Sequence, residues 1–201
     1  MSRLEPQGSN SISLKKKRSE FISNIKYINS AKDFKSWIKE NKKKYHAASH
    51  LCWTYRIIDN QAIIENASDA GEPYGSARRP ILTVLKKNNI VNAAIITVRY
   101  FGGIKLGKRG LIDAYTDSAT LVVDSCKMGK WEKFIRYRIT APIENYGEFS
   151  KSLKALDAEI ISDLSAEELL WEVRISGIYV NQLILFIKNV TKGQGKLVEL
   201  L

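Results

Sequence analysis

Two cysteines, two histidines, four prolines and no long apolar run mark this 201-residue chain by what it has little of. Cys52 and Cys126 are too few for a disulfide scaffold, and with only His46 and His50 beside them no metal-ligand array forms at a familiar spacing. Neither a metal nor another cofactor is therefore expected. No apolar run approaches the roughly 20 residues of a membrane span, and the opening MSRLEPQGSN lacks the apolar stretch of a secretory signal. The expectation is a soluble, cytoplasmic protein with no membrane partner. Nothing next to Cys52 would depress its pKa, so it reads as a buried strand thiol rather than a nucleophile.

Positive charge is what the chain has in excess, and it is unevenly placed. The formal net charge is +11. Up to Lys130 there are 23 Lys and Arg against 11 Asp and Glu; from Trp131 onward there are 9 against 10. Such a field concentrates polyanions, which points to RNA or the ribosome as partner, then to an anionic small molecule. The runs KKKR (15–18) and KENKKK (39–44) also fit ordinary solvated faces. With 44% hydrophobic residues, the chain has enough apolar surface for one full core or two small ones.

The pattern along the chain separates a basic extension, 1–18, from a first domain, 19–130, and a second, 131–201. SEFISNIKYI (19–28) fits a strand, and a helix follows in which Ser30 caps and Phe34, Trp37 and Ile38 share a face. HLCWTYRI (50–57) alternates, with His50 and Arg56 on one face, and pairs with QAIIE (61–65) across DN as a hairpin. In SDAGEPYGSARRP (68–80), Gly71, Pro73, Gly75 and Pro80 prevent regular structure, and ILTVLKKN reads as a short helix. NAAIITVRYF (92–101) suggests a strand buried on both faces. A helix near Gly110 carries Leu111, Ala114, Tyr115, Ala119 and Val122 at helical spacing.

Between that strand and helix lies RYFGGIKLGKRGL (99–111), with four glycines and four cations. Amides at a helix start favour an anion, and glycines let its oxygens approach the backbone. Arg99, Lys105, Lys108 and Arg109 add charge, so phosphate is the expected ligand, though a turn that simply needs glycine fits the spacing as well. A P-loop is excluded, because Arg109 stands where Ser or Thr would hold Mg²⁺. After Lys130 the order is βαββαβ: EKFIRYRITAPI, YGEFSKSLKAL, AEIISDLS, ELLWEVRISG, VNQLILFIKNVT and KLVELL. That is the ferredoxin-like plan, read here as a binding or docking module.

GEPYGSARRP and RYFGGIKLGKRGLIDAY resemble the two signature segments of the YigZ/IMPACT family, which run close to D-G-E-P-x-G-T-A-G-x-P and R-Y-F-G-G-x-K-L-G-x-G-G-L-x-R-A-Y. The match rests on Gly71, Glu72, Pro73, Gly75, Ala77 and Pro80 in the first segment. In the second it runs from Arg99 to Gly103, through Lys105, Leu106, Gly107, Gly110 and Leu111 to Ala114 and Tyr115. Ala70, Ser76, Arg78, Arg109 and Asp113 depart from it. If position 109 needs a positive φ, arginine costs about 1 kcal/mol there, and Asp113 would repel a phosphate. The resemblance implies an α+β protein: a ribosomal-protein-like α/β domain of the translational-GTPase type, then a ferredoxin-like domain similar to the last domain of elongation factor G. It also implies a regulator of translation, since eukaryotic IMPACT relatives compete for the coactivator of a starvation-sensing kinase.

Two readings remain. In the first, a non-enzymatic binder contacts RNA, a ribosomal surface or a translation-associated protein. Arg56, Arg78, Arg79, Arg99, Lys105, Lys108 and Arg109 supply charge, Gly102, Gly103, Gly107 and Gly110 supply backbone, and Trp53 or Tyr74 stacks. In the second, an enzyme holds a phosphorylated or acidic substrate at the glycine loop, with Glu72 or Asp69 as base and His50 as acid. Convergence of Glu72, His50 and the glycine loop in one cleft would favour the enzyme; cations spread over an open face would favour the binder.

Overall fold

The computed structural model describes residues 2–59 and 62–200. The chain divides into two compact units, Met1–Trp131 and Glu132–Leu201.

In the first unit, β2 (Ser9–Lys16), β3 (Ser19–Tyr27), β4 (His50–Asp59), β5 (Ala62–Ser68) and β6 (Ala93–Tyr100) form one sheet in the order β2-β3-β6-β4-β5. Every neighbouring pair is antiparallel. A short ribbon pairs β1 (Leu4–Pro6) with β7 (Met128–Lys130). The segment 1–18 is therefore no separate extension: most of it is strand, and β2 forms an edge of the main sheet because Ile12 and Leu14 pack on the core. Of the turn expected across Asp59 and Asn60, Asp59 still belongs to β4, while Asn60 lies outside the described residues, as do Gln61 and Leu201.

Helices cover both faces of the sheet, and the period-2 alternation of strand side chains sorts residues between them. On one face α1 (Ala31–Lys44) packs Phe34 and Trp37 against Tyr55, Ile57, Ile96 and Val98. Its start is closed as the spacing predicts, with the Asp33 amide donating to Ser30 Oγ at 3.1 Å. On the other face α2 (Arg78–Lys87) and α3 (Gly107–Asp124) cover Phe21, Ile25, Cys52 and Ile95. The central strand β6 is buried almost throughout, which explains its unbroken run of small and β-branched residues.

Both helices on that face begin three residues earlier than their apolar spacing indicates. Pro80 sits inside the first turn of α2, where a missing amide costs nothing, rather than in the preceding loop. α3 starts at Gly107, whose φ of +70° lets the chain turn into the helix. Arg109 is thus within the helix and outside the positive-φ positions. It pairs with Asp113 one turn on, at 3.3 Å, so two departures from the family pattern meet each other.

The second unit contains β8 (Phe134–Pro142), α4 (Tyr146–Ala155), β9 (Glu159–Asp163), β10 (Glu168–Ser176), α5 (Val180–Val190) and β11 (Lys196–Leu200). Its antiparallel sheet, β11-β8-β10-β9, carries the βαββαβ connection expected of a ferredoxin-like fold. Trp171, Phe149, Leu153, Leu183 and Ile187 fill its core. Among the described residues, no helix is long and apolar enough to cross a membrane.

Candidate functional site

The loop between β5 and α2 is organised by one carboxylate. Asp69 accepts the amides of Gly75, Ala77 and Arg78 at 2.8 to 3.0 Å and pairs with Arg78 Nε at 3.2 Å. Ala77, at the helix N-cap, offers no side-chain bond of its own, so Asp69 closes α2 from a distance. Its lone pairs are occupied, and the role of catalytic base is taken from it.

Beside this loop a polar cluster is buried under the sheet. Glu72 Oε1 accepts Arg99 Nη1 at 2.8 Å and the Tyr115 hydroxyl at 2.9 Å; the Glu72 side chain is 2% exposed. Cys52 Sγ donates to the Tyr115 oxygen at 3.3 Å and reaches the Asp69 carbonyl at 3.0 Å. Burial pushes the Cys52 thiol up to about 12 and carries the Tyr115 hydroxyl well above its usual range. Both keep their protons at neutral pH, which removes Cys52 as a nucleophile. His50 Nδ1 lies 3.0 Å from the Ala70 carbonyl, an atom that only accepts, so the ring proton sits on Nδ1. Nε2, the other edge of the ring, lies 4.0 Å from Glu72 Oε1. Gly71 makes room for it, since a Cβ there would come within 3.3 Å of the ring.

The glycine loop answers to two demands. Gly102 packs so tightly on the Arg18 backbone that a Cβ would overlap the Arg18 carbonyl, while Gly103 and Gly107 hold φ of +84° and +70° with open space around them. Gly110 lies in the helix, where a Cβ would stand 3.2 Å from Leu106 Cβ. At the start of α3, neither a side-chain cap at Leu106 nor an acid in the first turn satisfies the free amides. Lys105 and Lys108 flank this end, exposed and with no ion pair among the described residues.

The expected cations divide sharply. Arg56 is buried: it pairs with Glu65 at 2.9 Å and donates to the carbonyls of Ile90 at 2.7 Å and Leu85 at 3.3 Å, closing the end of α2. Burial raises the Glu65 carboxyl, but Lys86 and Arg56 outweigh that and hold it below its usual range. Arg99 is buried with Glu72. Arg56 has no edge left for a phosphate, which corrects that assignment, while Arg99 is withdrawn from the outer surface and reaches only the wall of a cavity. Trp53 is half-buried, packed 4.7 Å from the Phe34 ring against the α1-side core and so on the sheet face away from α2 and α3. Arg78 and Arg109 are exposed enough to act but already paired. Arg79, Lys105 and Lys108 remain, with Tyr74, which is 66% exposed and lies under the guanidinium groups of Arg78 and Arg79 at 4.2 and 5.4 Å.

Two cavities gather these groups. A groove of about 860 Å³ between α2 and α3 is lined by Tyr74, Arg79, Lys87, Lys108 and the hydroxyl-bearing Thr83, Thr116 and Thr120, with no carboxylate. A smaller one of about 390 Å³ brings His50, Glu72, Arg99, Lys105 and Lys108 together at the α3 start. Sequence reasoning missed Lys87 and the threonines. The signal was present in Ile112, Thr116 and Thr120, four residues apart and so on one stripe of α3. Among the described residues no group of three or more His, Cys, Asp or Glu is placed to hold a metal ion.

Comparison with known proteins agrees with the motifs. Residues 17–123 match the Impact N-terminal domain. The chain is 40% identical over 103 residues to the IMPACT family member YvyE of Bacillus subtilis, covering 51% of this chain and 47% of that protein. To the IMPACT family member YigZ of Escherichia coli it is 32% identical over 101 residues, 49% of each. It thus spans about half the length of the curated relatives it matches. A solved structure described only as a hypothetical protein aligns with all of this chain and 98% of its own, with a TM-score of 0.71 at 21% identity, a likeness of fold alone. With its signature loops matched and over half of its length covered by the domain, the chain belongs to the IMPACT family.

Proposed function

We propose that this chain is a non-enzymatic, cytoplasmic regulatory protein linked to translation, whose first domain docks RNA, free or on the ribosome, in the α2/α3 groove. The observation that carries this reading is the groove itself: Arg79, Lys87 and Lys108, three threonines and exposed Tyr74 without one carboxylate in the lining. Lysine and arginine neutralise backbone phosphates, the hydroxyls of Thr83 and Thr120 donate to them, that of Thr116 being spent on the Ile112 carbonyl at 2.8 Å, and an aromatic face accepts an unstacked base. The excess positive charge of the first 130 residues steers a polyanion toward it. The link to translation comes from the family resemblance.

His50, Glu72 and the glycine loop do converge in the smaller cavity, as the enzyme reading requires; that reading is weakened at its proposed base, since Asp69 is held by three amides and Glu72 by Arg99 and Tyr115. The test is anisotropy of a labelled single-stranded RNA across a salt series. Each phosphate neutralised contributes a slope of about 0.7 in log K against log salt, so Arg79→Ala/Lys87→Ala/Lys108→Ala should lower the slope by about 2. An unchanged slope would remove the groove from the interface.

A further inference from the structure

The smaller cavity has a composition of its own. Its charged wall holds Arg99, Lys105 and Lys108 against a single carboxylate, Glu72, already neutralised by Arg99 at 2.8 Å. That leaves two positive charges without an ion-pair partner among the described residues, both on exposed lysines at the rim. Between them stand the uncapped amides of an 18-residue helix. A second, independent observation concerns Arg99. Its side chain is only 7% exposed, it lines the same cavity, and its buried Nε has no hydrogen-bond partner among the described residues. Ser49 and His50 add polar groups, and Pro73, Phe101, Leu106 and Leu111 give the wall its apolar part.

We propose that this pocket binds a phosphate monoester, with its terminal oxygens on the first amides of α3 and on Lys105 and Lys108. Charge selects the class. A monoester is close to doubly negative at neutral pH, matching the two lysines, whereas an internal phosphodiester carries one charge on two non-bridging oxygens and is flanked by chain on both sides. Size agrees: about 390 Å³ lies at the small end of ligand pockets and leaves room beyond the phosphate for a compact body against Phe101 and Leu111. Lys108 also lines the α2/α3 groove, so the monoester has two sources, a small phosphorylated metabolite or the terminal phosphate of a strand lying in that groove. The pocket does not depend on the groove, because a free monoester fills it alone.

The experiment is calorimetric titration of the full chain with uridine 5′-monophosphate, inorganic phosphate and uridine, repeated on Lys105→Ala, whose folding is checked by thermal melting. The two phosphate ligands should bind and uridine should not, and Lys105→Ala should weaken binding about tenfold with an unchanged melt. No binding of either phosphate ligand at millimolar concentration, equal binding of uridine and its monophosphate, or an indifferent Lys105→Ala variant would overturn the proposal. RNA of one sequence carrying a 5′-phosphate or a 5′-hydroxyl then separates the sources: tighter binding of the phosphorylated strand assigns the pocket to an RNA end, and equal binding assigns it to a small molecule. Arg79→Ala/Lys87→Ala should leave monophosphate binding intact, so failure of the groove reading is visible separately.

Discussion

Two helices on one face of the same sheet begin in opposite ways. α2 is closed by Asp69, which takes three amides and an arginine, while α3 begins with no side-chain cap, no acid in its first turn and two lysines that have no ion pair among the described residues. Helix starts leave amides that must find acceptors, and a protein that supplies one eight residues upstream for α2 supplies none for α3. The contrast separates a loop built to hold the fold from one free to meet an anion, although both look like glycine-rich turns followed by basic helices.

The largest expected effect lies in the buried cluster that both loops share. Glu72→Ala leaves Arg99 charged and unpaired under the sheet, which should cost about 3–5 kcal/mol in a denaturant melt. Asp69→Ala should cost about 1–2 kcal/mol, the loss of a helix cap, and should loosen residues 75–78 in amide exchange. At the other start, Lys105→Ala/Lys108→Ala should change stability by no more than about 0.5 kcal/mol while reducing anion binding. A lysine pair as costly as Asp69 would erase the distinction between the loops.

A fourth expectation concerns protons. Burial raises the Cys52 thiol to about 12, so the folded chain holds that proton more tightly than the unfolded one does. The stability this adds is complete below the ordinary thiol pKa and is lost as pH climbs toward 12. Alkylation at pH 8.5 should therefore modify Cys126 first and Cys52 only on unfolding. Equal rates would mean the Tyr115 cluster opens readily.

What was legible in the sequence was local. The Ser30 cap, the doubly buried run of β6 and the βαββαβ order of the second domain follow from spacing within a few residues. Arg56 and Arg99 were read as surface cations because the groups that bury them are distant. Glu65 is 9 positions from Arg56, Ile90 is 34, and Glu72 is 27 from Arg99. A cation on the inward face of a strand tells nothing of a carboxylate waiting on a neighbouring loop. The α2/α3 groove was hidden for the same reason, since Lys87 and Thr116 meet only when two helices pack side by side. The helix starts were misplaced for a different one: Lys108 and Arg109 contribute no apolar period, and Pro80 reads as a breaker unless it falls in a first turn.

The most direct measurement is the salt dependence of RNA binding by the full chain and by Arg79→Ala/Lys87→Ala/Lys108→Ala. A steep slope that flattens by about 2 in the variant is the expected result and puts a phosphate backbone in the α2/α3 groove. Binding that is absent at low salt, or a slope the variant leaves untouched, would contradict RNA docking there.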